Sequence, residues 1–600
     1  MAEVLKERNE IDPKYQWDLS DLYASDEAWE ADFASIDGPI AELAAYQGKL
    51  KDAQVIAEFF AKQTALERRM MNLAEYGMLR RSEDTRASAA QKIYARGYAK
   101  YVEASTALAF AVPEILSLPE ETLKALTEDP VLADYRYTME QLIKKKPHTL
   151  TTAEETLLSN FGEVIGAPSE ISENLMDADL VFENAKDSEG NEQEVTGSSY
   201  IELQMSQDRV LRESSFRSLY KTYRQHINTF AATYSAAVKA AAAEARVRHY
   251  GSSREMSMSE NNIPVPVYDN LIAAVHRHLP AMYRYVALRK KILGLEEIHY
   301  YDVYAPLSSA PEKNYSYEEA KELVLGAVAP FGDRYTDVVR EGFGQRWVDV
   351  YPNKGKRGGA YSAGTYDSRP YILCNFNGKL DSVSTIAHEM GHSMHSYYAK
   401  KAQPPQYADY TLFVAEVAST VNENLLIEKL LGEEKDPQVR LSLLNQYLEN
   451  FKGTVYRQTM FAEFEKEAHA MAERGEALNA ESLNKVYRGL IEKYFGPELV
   501  IDDEVQYEWA RIPHFYRPFY VYVYATGYST ACALSEGILK EGESAVNRYI
   551  EFLSMGGSAY PLDELRHAGV DLDTPEPVDR ALEKFERVLA EAEELAAGME

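Results

Sequence analysis

The sequence predicts a mainly α-helical protein, and three observations carry that prediction. Between about residues 18 and 179, apolar residues recur at three- and four-residue spacing with few β-branched runs, the pattern of amphipathic helices. The pattern returns after Asp208, where the alanine-rich stretch from Ala236 to Ala245 adds high helix propensity. Strand-like composition is confined to short stretches, chiefly between Trp347 and Asp381.

Taken in order, Leu43, Tyr46 and Leu50, then Ile56, Phe59, Phe60 and Leu66, mark successive helices. Tyr94, Tyr98 and Tyr101 share one helical face and pack against a neighbour. Residues 180–182 and 194–196 flank Asp187-Ser188-Glu189-Gly190-Asn191, the turn chemistry of a hairpin. An N-terminal helical region over 1–200, ending in that hairpin, and a second region over 201–600 follow from it. Another helix starts near Val267, and Pro280 ends or kinks it. His276 and His278 fall two apart on different faces, so they do not share a metal. Residues 348–352 and 371–376 read as strands, with Gly355, Gly358, Gly359 and Gly364 between them. Small residues admit a substrate backbone, so Gly358, Gly359, Ala360 and Tyr361 are the candidate edge for pairing with an extended peptide, against the alternative of a structural turn.

At 600 residues the chain exceeds one compact core, yet no Pro/Ser/Gly linker cuts it, which predicts one intimately packed body. The formal charge of −31 argues against nucleic acid and against an anionic membrane surface as partners. Cys374 and Cys532 are the only cysteines, so disulfides do not hold the fold and a reducing compartment is expected. The first eight residues lack an apolar signal core and no run approaches a transmembrane length, which predicts a cytoplasmic protein.

The chemistry is concentrated in Thr385-Ile386-Ala387-His388-Glu389-Met390-Gly391-His392-Ser393, an H-E-x-x-H arrangement. Asp381 is a suitable N-cap, Lys400 and Lys401 suit a helix C-terminus, and Pro404-Pro405 stops the chain, so the motif lies inside a helix. Residues four apart project from one face, so His388 and His392 can share one zinc ion, with Glu389 beside it as general base. His395 lies about 10 Å along the axis from His388, too far to complete the set, and reads as a packing histidine. The third ligand comes from the next helix, predicted over 411–432. There Glu416 sits in a largely apolar first half, where an unpaired carboxylate is costly to bury and a cation relieves the cost. Glu423, seven residues on, can hold the outward ring N–H of a ligating histidine. The competing reading makes both ordinary surface glutamates.

The motif from His388 to His395, followed by Phe413-Val414-Ala415-Glu416-Val417-Ala418-Ser419, resembles the metal site of the thimet oligopeptidase family of zinc metallopeptidases. The opening Trp17-Asp18-Leu19-Ser20-Asp21-Leu22-Tyr23 and the overall length are similar to the oligoendopeptidase F group within it. The resemblance implies a zincin-like, neurolysin-like fold: a large helical ellipsoid with a deep substrate channel and a small β-sheet beside the zinc-binding helix. It implies one Zn2+ per chain on His388, His392 and Glu416, with Glu389 as base. It further implies that His514 and tyrosines of the tract 514–528 stand over the scissile carbonyl, where imidazole and phenol groups can donate to an oxyanion. Tyr520, Tyr522 and Tyr524 compete for that role, with His514 and Tyr520 preferred, then Tyr524. The expected activity is hydrolysis of internal bonds of short oligopeptides, with short peptides as partners and the oligomeric state open. A non-catalytic peptide-binding protein and a zinc endopeptidase acting on large proteins are the two rivals.

Overall fold

The structure is a computed structural model, and residues 5–308 and 313–599 are described. Where the lack of a linker predicted one body, the chain forms two compact units, each assembled from three separated stretches, so no single linker need exist. The mainly α prediction holds: short strands of two or three residues are the only β-structure among the described residues.

The first unit comprises the described residues of Met1–Thr149, Glu312–Lys429 and Leu534–Gly569. Its N-terminal part is a helical layer led by Ala53–Glu83, capped by the Asp52 side chain, and Ser88–Leu108. The two helices cross closely: a Cβ on Gly77 would come within 2.8 Å of Tyr94 Cα. Trp29, Phe59 and Leu73 form the core of this layer, and Tyr371 and Leu373 of the sheet pack into it. That sheet has three strands, with Tyr371–Leu373 in the centre, Val348–Asp349 parallel to it and Tyr361–Ala363 antiparallel at the edge. Buried Asp349 pins the sheet to the N-terminal segment through Arg8 at 2.7 Å and also meets Lys356 Nζ, of the loop that follows it, at 2.6 Å. Against the sheet lies Leu380–Ala402, with Glu543–Leu553 on its other side.

The second unit comprises the described residues of Leu150–Pro311, Leu430–Ala533 and Val570–Glu600. Its axis is Arg209–Val247, 39 residues long and capped by Asp208, with Arg457–Glu473 and Ala480–Phe495 packed around it. The hairpin predicted near residue 187 is present, but its strands are Ala185–Lys186 and Glu192–Gln193, tighter around the turn than 180–182 and 194–196. Pro280 falls in the first turn of Leu279–Ile292, just after Val265–Arg277 ends. His276 and His278 meet carboxylates, His276 with Glu463 at 2.7 Å and His278 with Glu586 at 2.8 Å. No single helix among the described residues is long and apolar enough to cross a membrane.

Candidate active site

Two helices of the first unit build the site. The cap of Leu380–Ala402 is Lys379, two residues before the predicted Asp381: Asn377 Oδ1 accepts the Lys379 N–H, and Asp381 sits in the first turn, where its charge still suits the helix dipole. Leu412–Glu433, close to the predicted 411–432, runs beside it. The two backbones almost touch at Gly391, where a Cβ would lie 2.6 Å from Ala418 O and from Ser419 Cα. Asn422 Nδ2 donates to Ala387 O at 3.0 Å and ties the helices one turn further on.

This packing brings three ligand atoms together. His388 Nε2 and His392 Nε2 are 3.2 Å apart. Glu416 Oε2 lies 3.4 Å from the first and 3.7 Å from the second. Donors bonded at about 2.0–2.1 Å in a tetrahedron stand about 3.3 Å from one another, so the residues fit one zinc-sized ion. Glu423 Oε1 is 3.2 Å from His388 Nδ1, which keeps the ring proton on Nδ1 and leaves Nε2 as the donor atom. Among the described residues no other group of three His, Cys, Asp or Glu side chains could hold a metal.

The electrostatics agree. Burial opposes a charge on His388, but Glu416 and Glu423 outweigh it and lift its pKa to about 10. Burial and the charge on His388 push His392 down to about 4. Its hydrogen bond with His388 is the main cause holding Glu416 at about 2. Two carboxylates, Glu416 and Glu423, thus face the imidazoles, a donor set whose charge suits a divalent cation.

Glu389 is not one of the three converging side chains. It is 6 % exposed and its Oε2 has no hydrogen-bond partner. Burial above all, opposed by His388 and reinforced by Glu416, raises its pKa to about 7. The backbone N–H of Ser362, in the edge strand, faces it. Ser362 Oγ also meets Ser393 Oγ at 2.8 Å, which seats the strand on the motif helix.

The strand at this edge is Tyr361–Ala363, so of the predicted stretch 358–361 only Tyr361 lies in it. Gly358 and Gly359 belong to the turn before it: Gly359 has φ +78°, and Asn375 Nδ2 donates to Gly359 O at 2.8 Å. Ala360 leads into the strand, and the Tyr361 ring packs toward the core beside Trp17. His395 is fully buried and stacked on Tyr410 at 3.6 Å between ring centroids, outside the group of three converging side chains.

His514, Tyr520 and Tyr524 lie in the second unit and form a cluster there. Tyr524 is the hub, its ring 6.0 Å from His514 and 5.4 Å from Tyr520. Tyr522 points the other way, buried 5.0 Å from Tyr268, which removes it from this face. Sequence reasoning missed Ser362 and Asn422. Asn422 carried a signal, a carboxamide inside the apolar run 413–426, whereas Ser362 carried none.

A helical fold with two imidazoles and a carboxylate converging on one point, and an unpaired glutamate beside them, defines a metallopeptidase of the H-E-x-x-H kind. The chain belongs to peptidase family M3: the profile of Peptidase family M3 matches residues 202–584 and that of Oligopeptidase F matches 114–182. It is 46% identical to oligopeptidase PepF of Bacillus subtilis, over 99% of this chain and 89% of that one. It is 41% identical to group B oligopeptidase PepB of Streptococcus agalactiae, over 98% of each chain. Among solved structures, oligoendopeptidase-F from Enterococcus faecium matches with TM-score 0.74 at 35% identity, over 95% of this chain and 99% of that one.

Proposed function

We propose that the chain is a zinc-dependent endopeptidase that hydrolyses internal bonds of short oligopeptides in the cytoplasm. The observation that carries this is the set of 3.2–3.7 Å spacings among His388 Nε2, His392 Nε2 and Glu416 Oε2, with Glu389 buried next to His388 in the motif and its Oε2 unpartnered. The oligopeptidases that it resembles over nearly its full length support the substrate class.

His388, His392 and Glu416 would hold the ion, with Glu423 orienting His388. When bound, zinc supplies a Lewis acid that polarises the scissile carbonyl and acidifies water. Glu389 takes the proton of the attacking water on its carboxylate and returns it to the departing amine nitrogen, so one water is consumed and one carboxylic acid and one amine result. Its place next to His388 in the motif, buried and with Oε2 unpartnered, supports this role. The backbone at Ser362 borders Glu389 and lines up the extended substrate chain, taking the place of the stretch 358–360. His514, Tyr520 and Tyr524 donate hydrogen bonds to the developing oxyanion. Every one of these groups lies in the region 201–600, which we take as the catalytic zinc peptidase region.

The test is a mixed peptide library incubated with the purified protein, with and without a chelator, the cut sites being read by mass spectrometry beside a casein digestion. Chelator-sensitive internal cuts in short peptides, with casein left intact, are expected. No cleavage at all would leave a peptide-binding protein, and ready digestion of casein would favour an endopeptidase of large proteins.

A further inference from the structure

Between Pro513–Tyr516 and Tyr522–Glu541, Phe519 adopts φ +55°. This is the left-handed region, which strains a bulky side chain and which glycine ordinarily fills. A strained residue persists only where its surroundings over-determine it. Here they do. The Phe519 N–H donates to Glu465 Oε1 at 2.6 Å. Its ring is held between Tyr268, at 5.8 Å, and His469, at 4.5 Å. Ser257 Oγ donates to the carbonyl of the preceding Pro518 at 2.8 Å. Glu465 and His469 stand one turn apart on Arg457–Glu473, so a single helix face grips both the backbone and the ring of Phe519.

Glu465 is itself unusual. It is fully buried, and its Oε2 has no partner. Burial raises its pKa well above the usual carboxylate range, although the Phe519 N–H pulls the other way. A half-satisfied carboxyl in a core is a cost that an apolar residue would avoid. Both costs fall at the same turn, immediately before Tyr520. After Phe519 the first helical turn closes, with the Val523 N–H on Tyr520 O at 3.1 Å. That turn sets the helical phase: Tyr520 and Tyr524 come onto one face, and Tyr522 goes into the core.

We propose that Glu465 and Phe519 form a buried latch that positions Tyr520 and Tyr524 for the reaction, Glu465 being a positioning residue that acts through the Phe519 backbone. The inference rests on the reading that these tyrosines donate to the oxyanion. Donors must lie where charge develops, and a displacement of about 1 Å costs about 100-fold in rate, so stability is exchanged here for geometry.

The test compares the zinc-loaded full chain as wild type, Glu465→Gln, Glu465→Leu, Ser257→Ala, Tyr520→Phe and Tyr524→Phe, and the Glu465→Leu change combined with each tyrosine change. The readouts are kcat and KM on a fluorogenic peptide, zinc content and circular dichroism. Glutamine keeps a carbonyl oxygen for the Phe519 N–H, so Glu465→Gln should stay within about twofold of wild-type kcat. Glu465→Leu should lower kcat by about 10- to 100-fold with KM little changed and zinc content intact. Added to whichever tyrosine change is itself impaired, it should cost less than about twofold more. Ser257→Ala loosens the same turn without burying or removing a charge, and should lower kcat in the same direction.

A Glu465→Leu enzyme with wild-type kcat beside impaired tyrosine variants overturns the latch, as do losses that multiply in the double variants, or a glutamine variant as slow as the leucine one. If Glu465→Leu does not fold, a Ser257→Ala enzyme at wild-type kcat overturns it. Wild-type kcat in both tyrosine variants is a different pattern: the donor reading fails, and the latch falls with it.

Discussion

At the scale of single residues, the chemistry turns on which carboxylate is left unpaired. Glu416 and Glu423 are engaged by His388, whereas Glu389 Oε2 has no partner and the side chain is 6 % exposed. A Glu389→Gln enzyme therefore keeps its ligand atoms but loses its proton carrier. Its kcat should fall by about 100- to 10,000-fold while zinc remains bound at one ion per chain, measured by peptide turnover and atomic absorption. Near-normal turnover would remove Glu389 from the base role. The convergence of His388, His392 and Glu416 was legible in the sequence because four-residue spacing on a helix translates directly into a shared face, and because Glu416 lies in an apolar run where its charge needs a reason. The tyrosines were not. Tyr520, Tyr522 and Tyr524 are separated by phase alone, and that phase is set by the left-handed Phe519, a conformation that its residue type does not announce.

At the scale of elements, the site depends on how closely two helices approach. The motif helix Leu380–Ala402 and its partner Leu412–Glu433 meet at Gly391, whose missing Cβ would sit 2.6 Å from Ala418 O. Gly391→Ala must push the helices apart, since backbone cannot move aside as a flexible side chain would. Overpacking of this kind costs about 1–3 kcal/mol, and the same displacement carries Glu416 away from His388 and His392. Lower melting temperature and weaker zinc affinity should appear together, by calorimetry and by competition with a metal indicator; a variant that binds zinc like wild type shows that the spacing tolerates the methyl group. Both helices were legible to within two residues, the first from its cap and stop signals and the second from its apolar stripe. The edge strand was misplaced because three residues offer no alternation to read, and the preceding turn consumes Gly358 and Gly359.

At the scale of the whole molecule, composition speaks where local pattern does not. The two units each draw on three stretches of chain, which periodicity cannot reveal because it reports only on neighbours along the sequence. Charge, by contrast, adds over all residues: 64 Lys and Arg against 95 Asp and Glu leave a formal −31. Two opposing effects of salt follow. Ion pairs are plentiful on the surface, but an exposed pair contributes only about 0–1 kcal/mol, and at contact distance it lies well inside the Debye length. The excess negative charges repel one another across distances beyond about 10 Å, which salt at about 0.1 M screens effectively. Self-repulsion destabilises the compact state, so relief of it should prevail. Raising potassium chloride from about 0.01 M to about 0.15 M, with zinc held constant, should therefore raise the melting midpoint in differential scanning calorimetry. A midpoint that falls over this range would mean that exposed ion pairs, Lys62 on Glu42 and Arg340 on Asp337 among them, outweigh the field of the whole chain.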